Sequence, residues 1–205
     1  AAGADRILLD VKAGRGAFMK TREQAEALAR LLIDLGNEAG AETSAVLSPM
    51  DEPLGRAVGN AVEVEEAVRL LLEPAAAEPV FLGFCIEMAA HGLAVTGRAA
   101  DAKTAETRAR ALLERGDAAR KLAQIVGAQG GPATCAALLA ALPRAPIALD
   151  VTSPRDGMIT AIDAEQVGLL AMEMGAGRKA RGDRIDPAVG VVLHRKTGDR
   201  VRAGD

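Results

Sequence analysis

The sequence predicts an α/β fold: part of a mixed-sheet α/β domain with surrounding helices, followed by a small C-terminal α+β module. Three observations carry this. Short apolar runs at Ile7–Val11 and Thr43–Leu47 are each bounded by turn residues, as buried strands are. Segments of helical period lie between and after them, the order of an α/β unit. At Pro143–Pro146 the texture changes, and short strand-like runs return.

Taken in order, Ile7–Val11 suits a buried strand of a parallel sheet. Thr21–Gly36 reads as a helix. Leu28, Leu31, Leu32 and Leu35 fall at i, i+3, i+4 and i+7, Thr21 and Gln24 resemble a capping box, and Gly36 is placed to stop the helix. After the second strand, Ser48–Gly55 is a loop by its prolines and glycine. A helix over Asn60–Leu72 presents Val64, Ala67, Val68 and Leu71. The next, Pro79–Leu93, is apolar on nearly all sides and is expected to be deeply buried. Ala102–Leu113 and Ala118–Val126 are amphipathic, and Thr134–Leu142 is a short Ala/Leu helix. Strands are expected at Ile147–Val151, Gly157–Ile162 and Val189–Leu193, with one helix near Ala164–Met174. A boundary at about residue 145 divides residues 1–145, a portion of the α/β domain, from residues 146–205, an α+β domain incomplete at its end.

Composition narrows the function. Of 205 residues, 49% are hydrophobic and 26% charged, which is globular rather than disordered. With three Phe and neither Trp nor Tyr, the core must come from Ala, Leu and Val. The net charge of −3, without a basic block or stacking aromatics, argues against nucleic acid. No apolar run approaches a membrane span, so no membrane role is expected. Cys85 and Cys135 sit in apolar helical patterns and read as free thiols, which fits a cytoplasmic location. Neither His91 nor His194 has a partner at zinc-ligand spacing. The chain opens on Ala-Ala-Gly-Ala and closes within a turn, so both ends are expected to continue into a longer protein.

Two stretches carry chemistry. In Asp10-Val-Lys-Ala-Gly-Arg-Gly-Ala-Phe-Met19 a strand end runs into a turn, the place where α/β sheets bind ligands. Gly14 and Gly16 permit a sharp turn or close approach, and Lys12 could meet an anion. The plain alternative is a βα turn with an ion pair between Lys12 and Asp10 or another acid. In Met50–Glu66, Glu63, Glu65 and Glu66 fall in the first turns of a helix and complement its dipole. A carboxylate beside irregular carbonyls could instead hold a hard cation. Gly175–Asp183 could bind phosphate or simply connect domains. The Lys196–Asp205 tail has the rhythm of a carrier barrel but no Met-Lys-Met attachment hairpin.

Read together, these pieces resemble the second half of a thymidine phosphorylase or pyrimidine-nucleoside phosphorylase. The resemblance rests on Asp10-Val-Lys-x-Gly-x-Gly-Ala-Phe-Met19 and Met50-Asp-x-Pro-Leu-Gly-x-x-Val-Gly-Asn-Ala-x-Glu-Val-x-Glu-Ala67. It continues in Asp156-Gly-x-Ile159, Ile162-Asp-Ala-Glu165, Gly175-Ala-Gly-Arg178, Ile185-Asp-x-Ala-Val-Gly190 and Lys196-x-Gly-Asp199. It implies a pentosyltransferase: phosphate, the co-substrate, attacks C1′ of a pyrimidine nucleoside and releases the base and a pentose 1-phosphate. No organic cofactor is implied. The family pairs a small helical domain with a large α/β domain, and homodimerises through the former.

The resemblance also assigns positions. Phe18 matches the apolar residue lining the pyrimidine pocket, and Lys12 lies beside it. Leu54 and Ala57, through their carbonyls, and Glu66, through its carboxylate, match a potassium site. The family's phosphate loop and its base-contacting His, Arg, Ser and Lys lie upstream, so no catalytic residue is expected in these 205 residues, and the isolated chain is expected to be inactive. Alternatives are a same-fold AMP phosphorylase-like enzyme and a non-catalytic scaffold or carrier module.

Overall fold

Two parallel strands organise the first part of the computed structural model, which describes residues 3–205. Strand β1 (Arg6–Ala13) pairs with β2 (Glu42–Pro49) from Arg6 opposite Glu42 to Ala13 opposite Pro49. Helix α1 (Arg22–Glu38) crosses between them. Its Thr21/Gln24 capping box forms as the sequence predicts, with the Gln24 amide donating to the Thr21 hydroxyl and the Gln24 side chain returning to the backbone. Ala25, Ala29, Leu28 and Leu32 pack on Val11, Leu9 and Leu47. Leu31 and Leu35 stand more than half exposed, so the buried stripe is narrower than the leucine spacing predicts.

Gly36 does not end α1. The helix continues to Glu38, and Gly40, in the left-handed region at φ 84°, makes the exit. Gly36 instead marks close packing of helix on strand: a Cβ there would lie 2.1 Å from the Thr43 hydroxyl.

Strand β3 (Ala57–Gly59) precedes helix α2 (Ala61–Leu72), and its three residues lack the length for a recognisable apolar alternation. Helix α2 buries Ala61, Val68 and Leu70, while Val64 and Ala67 of the expected stripe are exposed and Leu71 is half-buried. Helix α3 (Pro79–Val95) is not deeply buried. Only Ile86 and Ala90 are, although apolar residues surround the helix. It packs Phe81, Leu82 and Cys85 with Leu70 and with Ala109 and Leu113 of α4 (Ala102–Glu114). Helices α5 (Asp117–Ala128) and α6 (Cys135–Ala141) close a third cluster around Val68, Ala119 and Cys135.

Beyond α6 the strand expected at Ile147–Val151 is absent. The segment runs unpaired, with Ile147, Leu149 and Val151 exposed, because no neighbouring strand among the described residues takes up its backbone groups. The strand expected at Gly157–Ile162 shortens to β4 (Gly157–Met158), antiparallel to β6 (Arg200–Val201). Helix α7 (Ala164–Ala171) passes into a wider π-type turn over Met172–Ala176, which the continuous helical pattern to Met174 does not reveal. Strand β5 (Gly190–Val192) pairs antiparallel with β3, drawing the C-terminal segment against the first residues of α2.

Two glycine substitutions separate packing from backbone entropy. Gly36→Ala should lower stability by about 1–3 kcal/mol, since the new methyl overlaps a buried threonine. Gly83→Ala, in open space within α3, should raise it by about 0.5–1 kcal/mol. Urea unfolding of both variants beside the parent measures the opposed signs.

Candidate active site

The glycine turn after β1 closes on itself and on the loop after β2. The Gly14 amide donates to the Met19 carbonyl at 3.0 Å, and the Gly16 amide to the Met50 carbonyl at 2.8 Å. The Arg15 amide reaches the Asp51 carboxylate at 3.1 Å. Gly14 has φ 129°, and a Cβ on Gly16 would meet Ala164 at 2.7 Å and the Met50 carbonyl at 2.9 Å. Both glycines are therefore required by the approach of two loops and of α7. Ala17 is buried and Met19 packs on the α1 core, whereas Phe18 between them is 98% exposed. Phe18 takes no part in the packing that holds the turn.

Lys12 is engaged from three sides. Its ammonium lies 2.5 Å from Asp10 and 2.9 Å from the Ser48 hydroxyl, and 4.7 Å from the centre of the Phe84 ring of α3. Ser48 in turn donates to the other Asp10 oxygen at 2.5 Å. The ion pair between Lys12 and Asp10 thus forms, and with Ser48 it ties the C-terminal ends of β1 and β2 together. An ammonium so neutralised acts on a ligand as a fixed hydrogen-bond donor more than as a free charge.

The loop between β2 and β3 is the second centre. Glu66, on α2, turns back to it: the Arg56 amide donates to Oε1 at 2.7 Å and the Ala57 amide to Oε2 at 3.1 Å. Gly55 is required beside it, since a Cβ there would fall 2.2 Å from Glu66 Oε2. Glu66 is half-buried, not the solvated residue that helix periodicity alone would make it. Cys85 of α3 is close enough for burial, and then the Glu66 charge, to push its thiol above the usual range. Arg56 and Leu193 are bonded opposite one another, the Leu193 amide donating to the Arg56 carbonyl at 2.7 Å. Antiparallel alternation therefore turns the Ala57 peptide groups away from β5. Of the three positions matched to a cation site, Glu66 and Ala57 meet here through the Ala57 amide, and Leu54 lies two residues before the Arg56 amide that Glu66 also accepts.

Two further residues brace this loop. The Arg56 guanidinium donates to the Leu193 and His194 carbonyls at 3.1 and 2.8 Å. Lys196 is buried, and its ammonium donates to the Pro53 carbonyl and, at 3.1 Å, to the Gly55 carbonyl. Sequence reasoning missed both; the only signal was the Lys196-x-Gly-Asp199 turn, in which a lysine is ordinarily solvated. A groove of about 690 Å³ opens beside the loop, between Glu65, Glu66 and Arg69 of α2 and Phe81 of α3 with its N-cap Glu78. Elsewhere, Arg178–Pro187 is exposed and turns on Asp183, whose carboxylate accepts from the Lys179 and Ala180 amides. Among the described residues no three His, Cys, Asp or Glu side chains gather as a metal-binding group, and no helix is long and apolar enough to cross a membrane.

Comparison with known proteins covers the same two centres. Residues 1–119 match the model of the glycosyl transferase family, a/b domain, and residues 158–205 that of the pyrimidine nucleoside phosphorylase C-terminal domain. The chain is 38% identical over 205 residues to a pyrimidine-nucleoside phosphorylase of Geobacillus stearothermophilus, and 39% over 206 to one of Bacillus subtilis. To one of Staphylococcus aureus it is 40% identical over 209 residues. Each alignment takes in 100% of the chain and 47% of the relative, so the chain spans about half the length of the curated relatives it matches.

The Glu66 contacts make a direct prediction. In Glu66→Ala the Arg56 and Ala57 amides lose a charged acceptor and should exchange with solvent about 10–100-fold faster. Amides within β2 should keep their rates, as amide hydrogen exchange will show.

Proposed function

The chain belongs to the glycosyl transferase family and carries a pyrimidine nucleoside phosphorylase C-terminal domain, and on that premise we propose that the protein it forms part of is a pyrimidine nucleoside phosphorylase. In this reading phosphate attacks C1′ of a thymidine- or uridine-type nucleoside. The C1′–N bond breaks with its electron pair going to the base, which leaves as the free pyrimidine, and the pentose departs as its 1-phosphate. The reaction is reversible and its barrier is lowered by positioning and electrostatics. The observation that carries the reading is the whole-chain identity to three such phosphorylases.

Within this chain, Phe18 supplies an apolar face to the pyrimidine ring. Its full exposure on a turn whose neighbours are packed supports a role outward from the chain. Lys12, tied to Asp10 and Ser48, supports the same strand end and offers a remaining ammonium proton to the substrate side. Leu54, Ala57 and Glu66 would hold a potassium ion, whose charge would steady the loop. Phosphate and the reacting sugar would be held by residues outside this chain, so the 205 residues alone would not turn over. A homodimeric, cytoplasmic enzyme is the expected setting.

The test is thymine release from thymidine and phosphate. The full-length protein should show it and the isolated 205-residue chain should not; absence of phosphorolysis with every pyrimidine nucleoside overturns the assignment. Phe18→Ala in the full-length protein should raise the nucleoside KM about tenfold, the worth of one buried apolar side chain, while the phosphate KM stays within about twofold.

A further inference from the structure

Lys196 is the one lysine among the described residues that is buried, in a turn whose neighbours are exposed. Lysines are buried only where a partner repays the lost hydration. Its partners are not primarily carboxylates. The ammonium donates to the Pro53 and Gly55 carbonyls, and the Glu52 carboxylate stands further off at 3.8 Å. The buried charge is thus met chiefly by backbone carbonyls, with a carboxylate only at the edge of ion-pair distance. The backbone under Lys196 is fixed as well. Its amide donates to Asp199 at 2.8 Å, and the Asp199 amide returns to its carbonyl at 3.0 Å. The Ile159 and Gly198 amides tie this turn to β4 through the Asp199 and Ile159 carbonyls.

We propose that Lys196 is the positioning residue of the Pro53–Ala57 loop: a tethered internal cation that claims the Pro53 and Gly55 carbonyls, and so sets the Arg56 and Ala57 amides on Glu66. Alternate peptide groups of a short loop cannot be aimed independently. Holding residues 53 and 55 from the C-terminal side fixes how Leu54 and the 56–57 peptides face. Arg56 completes the brace in the opposite direction, from the loop to the Leu193 and His194 carbonyls. The C-terminal segment thereby governs the geometry of Leu54, Ala57 and Glu66 without contacting a substrate. For its functional consequence the inference rests on the phosphorylase reading of that loop; its structural content does not.

Hydrogen exchange and chemical rescue on the full-length protein test it. Lys196→Met keeps the apolar stem and removes the ammonium. Exchange at the Arg56 and Ala57 amides should rise at least about tenfold, with amides of β2 within about twofold of wild type. In Lys196→Ala, n-propylammonium should restore protection, and n-propanol, of like size without charge, should not. Should both variants unfold, Glu52→Gln, which weakens the hold on the ammonium more gently, should still raise exchange at Arg56 and Ala57 about two- to threefold. Wild-type exchange in Lys196→Met, equal rescue by n-propanol, or unchanged exchange in Glu52→Gln where only that variant folds, overturns the proposal. Thymidine phosphorolysis by the wild type is measured alongside. Its absence would remove the phosphorylase reading while leaving the exchange result to decide the role of Lys196.

Discussion

The loop from Met50 to Arg56, before the chain enters β3 at Ala57, has little regular pairing of its own, and groups from distant segments satisfy its backbone. Buried peptide groups that lack hydrogen bonds cost about 1–3 kcal/mol each, so an irregular loop at the centre of a fold must find donors and acceptors from outside itself. On one flank the glycine turn gives the Gly16 amide to Met50, and α7 gives the Ala164 amide to the Asp51 carbonyl. On the other, Lys196 takes the Pro53 and Gly55 carbonyls, Leu193 takes that of Arg56, and Glu66 takes the Arg56 and Ala57 amides. The glycine turn, α2, α7 and the C-terminal segment all bond to backbone groups between Met50 and Ala57.

That convergence explains which residues must be small. Gly16 and Gly55 stand where a side chain would collide with Ala164 and with Glu66. Neither requires the left-handed backbone region; the demand at both is space. Gly14 differs, combining close approach to Asp51 with a positive φ. Phe18 is the counterpart, a large side chain left wholly outside a turn in which Gly14 and Ala17 are buried and Met19 packs on the α1 core. An exposed aromatic in a chain with three is an unusual expenditure of apolar surface, and it coincides with the end of a parallel strand, where α/β sheets meet ligands.

The same economy shows in the core. With Ala, Leu and Val supplying nearly all of it, the buried side chains are small and fall into separate clusters around Val11, Leu70 and Val68. Polar bracing carries a correspondingly large share of the work of holding elements together. The Asp10–Lys12–Ser48 set at the strand ends and the Arg56–Lys196 pair across the loop are its main instances. Each joins segments separated by tens of residues, so each constrains tertiary placement more than local conformation.

Much of this was legible in the amino-acid order alone. Parallel strands, the capping box of α1, the glycine turn and the helices through α6 follow from local periodicity and turn chemistry, which need no distant partner to be recognised. The order and spacing of the motifs pointed to the phosphorylase family, and it is that resemblance which singles out Phe18, Leu54, Ala57 and Glu66. Other features depended on partners far away in sequence. Gly36 resembles a helix stop until Thr43 is seen against it, and Ile147–Val151 resembles a strand until no neighbour is found for its edge. The lysine at 196 resembles a solvated turn residue until carbonyls some 140 positions earlier close on its ammonium. Local patterns encode local conformation; which backbone groups remain unsatisfied, and which distant side chain is recruited to them, is decided only when the chain has folded.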